Sequence, residues 1–268
     1  MPSTRYLMES DEEALRLDKK TDPDLVRQQA AWSGIKPGMR IADLGCGSGK
    51  TAYILNQFVQ PQGETIGVDI ADQRIRFAQQ HYRAENLKFI CRDIRKPLED
   101  VGPFDLIWVR FVLEYYLKES FELVTHISQF LKPGGTLCLI DLDHNCLSHF
   151  GLSPNLLSAL QGVMQALQAT ANFDPYVGRK LYAYLYDLGF EAVKVRMTAH
   201  HLIYGRLSEG DAFNWEKKVQ IAAQNSGYDF AEYPNKFAGF MADFNTCFND
   251  PRRFTYTPVI ACKGRKPL

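Results

Sequence analysis

Apolar positions along this chain fall into two alternating patterns. Short continuous runs, Ile41–Leu44, Glu64–Asp69, Leu87–Cys91 and Phe104–Arg110, are bounded by turn residues and read as buried strands. Between them lie helical stretches such as residues 50–58. Residues 39–142 alternate strand and helix five times, as in a parallel, doubly wound sheet. Upstream, residues 1–38 predict a helical lead-in, in which Asp22-Pro23-Asp24 caps a helix with Leu25, Ala30, Ala31 and Trp32 as its apolar stripe. Downstream, residues 153–171 place Leu156, Leu157, Leu160, Val163, Met164 and Leu167 at helical spacing. A sixth strand is expected near residues 192–198 and a closing strand from Thr257. The intervening residues 202–250 carry two amphipathic helices, near 213–224 and 236–248, and predict a cap or an oligomer surface.

The first strand ends in Asp43-Leu44-Gly45-Cys46-Gly47-Ser48-Gly49. Glycines there let the backbone turn sharply and approach a ligand. A dinucleotide site usually shows G-x-G-x-x-G and seats a pyrophosphate on the helix N-terminus. Here an acid precedes alternating glycines; it would repel a pyrophosphate and suits a ligand bearing an ammonium group. The second strand ends on Asp69, which can accept hydrogen bonds from ribose hydroxyls, and the third is followed by Arg92-Asp93-Ile94. Three acids at three successive strand tips are hard to explain as solvated caps.

These motifs resemble the class I S-adenosylmethionine-dependent methyltransferases. The likeness extends through Phe104-Asp105-Leu106-Ile107, the turn Leu131-Lys132-Pro133-Gly134-Gly135, the stretches 178–181 and 188–190, and the ending Lys263-Gly264-Arg265-Lys266-Pro267. Tyr6-Leu7, Glu13 and Arg16-Leu17 are similar to the lead-in of one bacterial subgroup. The resemblance implies a Rossmann-like α/β fold with helices on both faces. Its seven-stranded, mostly parallel sheet has the order 3-2-1-4-5-7-6, with strand seven antiparallel. It implies S-adenosyl-L-methionine as cofactor and a small, partly apolar or aromatic methyl acceptor. Asp43, Gly45, Cys46, Gly47, Ser48 and Gly49 would cradle the methionine end. Asp69 would bind the ribose; Ile70, Asp93 and Ile94 the adenine, bordered by Arg74. Tyr6, Arg110 and Phe111 complete the implied cofactor set.

Catalysis of methyl transfer is chiefly alignment, so a general base is optional. Asp141 and His201 are the candidates. Asp141 could equally orient a loop or cap a helix. His200 and His201, if they remain in a strand, point to opposite faces, so one at most reaches the crevice. Trp215, Tyr228, Phe230 and Tyr233 could line an acceptor pocket or form the cap's own core. Asp143-His144-Asn145 with His149 suggests a metal, but the loop after strand four lacks the acid of the family's magnesium-dependent branch, so none is expected.

Composition narrows the rest. With 31 basic and 31 acidic residues the chain is neutral overall, without the basic footprint that nucleic acid demands. The loop after strand four also lacks an N/D-P-P-Y/F signature. No apolar run approaches the roughly 20 residues of a membrane span, and the N-terminus has no signal-peptide pattern. The six cysteines lack paired spacing and read as reduced thiols in a cytoplasmic protein. The 202–250 insertion offers a surface on which a homodimer would form. Two other readings stay open: a non-catalytic S-adenosylmethionine-binding regulator, and an NAD-linked oxidoreductase.

Overall fold

A computed structural model describes residues 13–145 and 147–268. Two helices lead in, α1 (Glu13–Lys20) and α2 (Pro23–Ser33). Asp22 caps α2, its carboxylate accepting from the Asp24 amide at 2.8 Å. The α/β core follows as β1 (Arg40–Leu44), α3 (Lys50–Val59), β2 (Glu64–Asp69), α4 (Asp72–His81), β3 (Leu87–Cys91), β4 (Phe104–Arg110), α5 (Ser120–Ser128) and β5 (Leu131–Leu142). The short β6 (His149–Phe150), α6 (Pro154–Thr170), α7 (Leu181–Asp187), β7 (Glu191–Tyr204), α8 (Glu209–Ser226), α9 (Lys236–Asn249) and β8 (Phe254–Arg265) complete the chain.

The strands form one eight-stranded sheet in which β3, β2, β1, β4 and β5 run parallel. Strand β8 lies antiparallel beside β5, and β7 pairs with its other edge. This is the expected 3-2-1-4-5-7-6 order, with β7 and β8 as sixth and seventh strands and the two-residue β6 added against the start of β8. Side chains alternate across the sheet: Ala42, Leu44, Ile107 and Val109 face a core shared with α5 and α7, while Ile41, Leu106 and Trp108 face α2 and α3. Apolar burial on both faces explains why these strands read as continuous runs.

The sixth strand, β7, is twice the expected length, pairing with β8 as far as Tyr204, and its alternation is broken by a bulge. Its register against β8 shifts between His200 and Ile203, and His201 adopts a left-handed φ of 53°. An extra residue there flips the parity of the strand. The two histidine rings therefore come together, 3.8 Å between centroids, rather than pointing to opposite faces.

Helices α8 and α9 pack with α6 around Trp215, Phe240, Phe244 and Phe248, separately from the sheet's own cores. Trp215, Phe230 and Tyr233 are buried inside this cluster and form the cap's core; none of them lines the cleft at the strand tips. The five described cysteines are free. Among the described residues no helix is long and apolar enough to cross a membrane, and no cluster of three or more metal-ligating side chains is found.

Candidate active site

The turn after β1 is pinned from behind. Gly45, Gly47 and Gly49 have φ values of 81°, 55° and 86°, a region costly for side-chain-bearing residues. The amides of Gly45 and Cys46 both donate to the Val68 carbonyl, at 2.7 and 3.0 Å. A Cβ on Gly45 would overlap Val112, and one on Gly49 would lie 2.6 Å from Ala78 Cβ. These two glycines thus serve close packing, while Gly45, Cys46, Gly47 and Ser48 line a cleft of about 180 Å³ at the strand tips. Asp43 and Gly49 lie behind that lining. Asp43 is 2% exposed, its Oδ2 has no hydrogen-bond partner, and burial raises its carboxyl pKa to about 7 against the opposing pull of Arg110. A buried, unsatisfied carboxylate oxygen is costly unless a donor reaches it.

At the tip of β2, Asp69 is fully organised. Its Oδ2 accepts from the Gly47 amide at 2.9 Å; its Oδ1 accepts from the Ala71 amide and from Arg74 Nε at 3.0 Å. Arg74 is itself buried and completes an ion pair with this carboxylate. Oδ2, with one donor, retains accepting capacity toward the cleft. Ile70 beside it is 53% exposed and lines the cleft, an apolar surface left open at that spot. After β3, Asp93 pairs with Arg95, which together with hydrogen bonding holds its carboxyl below the usual range although burial opposes this. Asp93, Ile94 and Arg95 all line the cleft.

The opposite wall comes from the loop after β4 and from α1. Arg110 donates to Gln29 and stacks 4.0 Å over the Phe111 ring; burial lowers its pKa to about 10. Phe111 holds a left-handed φ of 58°, a strained conformation for an aromatic residue. Both line the cleft. The loop is set by Asp141, whose Oδ2 accepts from the amides of Leu113 (2.9 Å) and Glu114 (3.3 Å) and whose Oδ1 accepts from Leu142. Asp141 is fully buried and absent from the cleft lining, as is His201, which packs against Trp215. The structure gives Asp141 the loop-orienting place and puts His200, not His201, at the cleft wall. Tyr6 lies outside the described residues.

Several lining residues carry no strand-tip signal. Leu17 and Lys20 arrive from α1 and Thr21 directly follows it; α1 is tied to α3 by Lys50 Nζ donating to the Asp18 carbonyl at 2.9 Å. Glu114, Tyr115 and Tyr116 enter the lining from the loop after β4. Glu114 is buried, accepts from Asn145 Nδ2 at 2.7 Å, and has its carboxyl pKa raised by burial. Asn145 in turn accepts from Lys218 Nζ at 2.8 Å, tying the loop to cap helix α8.

A strand-tip cleft bounded by a glycine turn and three acids is the architecture of a Rossmann-like nucleoside-binding fold. Residues 35–184 match the family model described as "Methyltransferase domain", more than half of the chain, and the protein belongs to that family. A demethylmenaquinone methyltransferase of Lactococcus lactis is 27% identical over 113 residues, covering 41% of this chain and 44% of that protein. An arsenite methyltransferase of Aquipseudomonas alcaligenes is 32% identical over 121 residues, covering 39% of this chain and 33% of that protein. The chain thus spans less than half the length of these curated relatives. Phosphoethanolamine N-methyltransferase 2 of Haemonchus contortus, solved with S-adenosylhomocysteine, shares the fold at a TM-score of 0.63 and 14% identity, covering 100% of this chain and 61% of that one.

Proposed function

We propose that the protein binds S-adenosylmethionine in this cleft and transfers its methyl group to a small, partly apolar or aromatic acceptor. The observation that carries this reading is the unsatisfied Oδ2 of Asp43 behind the glycine turn, in a chain of the methyltransferase-domain family. S-adenosylmethionine brings an activated methyl group on a positively charged sulfur. Its ammonium is the donor whose chemistry suits Asp43. The turn from Gly45 to Ser48 lies alongside, its small residues leaving room for the ligand, Asp69 Oδ2 takes the ribose hydroxyls, and Ile70 with Ile94 brackets the adenine near Asp93. Arg74 acts through Asp69, fixing the carboxylate. Arg110 and Phe111 close the methionine end, and Asp141 holds that loop in place.

Because the methyl is already activated, the chain's task is alignment and exclusion of water. Asp141 has both oxygens committed to backbone amides and is not needed as a base. Calorimetric titration with S-adenosylmethionine tests the reading directly: binding that Asp43→Asn weakens supports it, and indifference to that change removes Asp43 from the site.

The helices inserted between β7 and β8 form, in this reading, a cap over the acceptor end. A homodimer belongs to the same proposal, but on a different surface from the insertion. Phe150, Tyr204 and Phe254 are register partners across β6, β8 and β7, and with Leu202 and Tyr256 they leave one apolar sheet face uncovered beside the free edge of β7. Light scattering of Tyr204→Glu against the parent tests it; identical masses would place the dimer elsewhere or nowhere.

A further inference from the structure

Beyond Phe111 the cleft is bounded by groups that the cofactor constellation leaves unused. His200 is 8% exposed, and its Nε2 is buried without a hydrogen-bond partner. The ring is held by aromatic contacts instead, 5.2 Å from Phe111 and 3.8 Å from His201. A buried ring nitrogen left unpaired is unfavourable unless a ligand completes it. Lys20 Nζ lies 5.7 Å from the same Phe111 ring and has no hydrogen bond or salt bridge among the described residues. The neighbouring cations are engaged: Arg16 with Glu13, Arg74 with Asp69, Arg95 with Asp93 and Arg110 with Gln29.

The charges facing this spot come from four elements. Lys20 is opposed by Arg16 on its own helix, Lys218 on α8 and Arg110 at the end of β4, and is attracted by Glu114; His200 faces His201 and the same Lys20, Arg110 and Lys218. Burial and this cationic surrounding lower the Lys20 pKa to about 7 and push that of His200 well below its ordinary value, so its imidazole is neutral and can donate a single N–H. Glu114, the one carboxylate nearby, is already shared with Asn145. What is missing is an anion beside an aromatic wall of Phe111, Tyr115 and Tyr116.

Resting on the methyl-transfer reading above, we propose that this end of the cleft binds the acceptor as a phenolate-type oxyanion, between Lys20 Nζ and His200 Nε2. The phenolic proton leaves to solvent on binding, so the oxygen lone pair is free for transfer and no side chain has to act as base.

The test uses protein saturated with S-adenosylhomocysteine and titrated with 4-nitrophenol, whose anion is followed by its visible absorbance, with 4-nitroanisole as the neutral control. The expected result is preferential binding of the anion, seen as a fall of about one unit in the apparent pKa of the bound phenol. Lys20→Met abolishes that fall and His200→Phe weakens anion binding about tenfold. Lys20→Arg restores it, and S-adenosylhomocysteine affinity stays within about twofold throughout. Equal binding of phenol and anisole, or wild-type anion binding by both variants, overturns the proposal. So does a loss of S-adenosylhomocysteine affinity in Lys20→Met, which would assign Lys20 to the cofactor carboxylate. If S-adenosylhomocysteine does not bind the parent protein, the methyl-transfer reading itself falls and takes this one with it.

Discussion

Along the strand-tip wall of the cleft Asp69 and Asp93 are already paired, whereas Asp43, behind the glycine turn, keeps one oxygen unpartnered. Asp69 is clasped by Arg74 and the Gly47 amide, and Asp93 by Arg95. At the cap end Lys20 and the His200 ring have neither a hydrogen bond nor a salt bridge among the described residues. The first arrangement is a preorganised socket, its groups held in place before any ligand arrives. The second is held by packing alone and leaves its polar groups for the ligand to satisfy. The contrast fits a fold that binds one constant cofactor and an acceptor specified separately.

The largest effect is expected at the turn. Gly47 has a left-handed φ and a position for Cβ that lies 3.1 Å from Leu17. Gly47→Val imposes a branched side chain where the backbone disfavours one and fills space in the cleft. S-adenosylmethionine affinity should fall at least about 100-fold, or about 2.7 kcal/mol. Normal binding by a folded variant would show that the turn does not meet the ligand.

Asp69→Ala should weaken S-adenosylmethionine by about 2–3 kcal/mol through lost charge-assisted hydrogen bonds. It also strands Arg74, which is 5% exposed, so thermal unfolding should register a loss of about 3–5 kcal/mol. Asp69→Asn, which keeps an acceptor, should recover part of both. A variant that loses stability but no affinity would leave Asp69 structural.

Asp43 supplies a pH dependence. Its folded pKa, near 7, lies above the ordinary value of 3.8, so between these limits the folded state holds a proton that the unfolded chain has released. This group's contribution to stability therefore falls as pH rises from about 4 toward 7. An ammonium ligand binds the ionised form, so S-adenosylmethionine affinity should climb by up to about tenfold per pH unit and level off above about 7. Calorimetry in buffers of different ionisation heat counts the proton released; a flat profile, unchanged in Asp43→Asn, would contradict the assignment.

A smaller change is expected for Asp141→Asn. Either the Leu142 amide or the Leu113 and Glu114 amides together would face a donor instead of an acceptor, costing about 1–3 kcal/mol of stability. Cofactor affinity should change modestly as the loop loosens. Complete loss of turnover with stability intact would instead restore a direct role for Asp141.

The socket was legible in the sequence because it is local. Asp43, Asp69 and Asp93 each follow a hydrophobic run, and a parallel sheet brings successive strand tips to one edge whatever the loops do. The cap end was not legible for the opposite reason. Lys20 reaches the cleft only because α1 packs on α3 and α4, and Lys218 meets the network through Asn145, 73 positions away along the chain. His200 required a bulge, which reversed the alternation on which the strand's expected facing rested. Trp215, Phe230 and Tyr233 had the composition of a pocket and became a core, since α6 supplies a facing apolar stripe that a reading of α8 and α9 alone does not include.

The most direct test of the central claim is a calorimetric titration of the protein with S-adenosylmethionine, S-adenosylhomocysteine and NAD in parallel. Micromolar binding of the first two with no heat from NAD is the predicted result. Binding of NAD alone, or of none of the three, would contradict it.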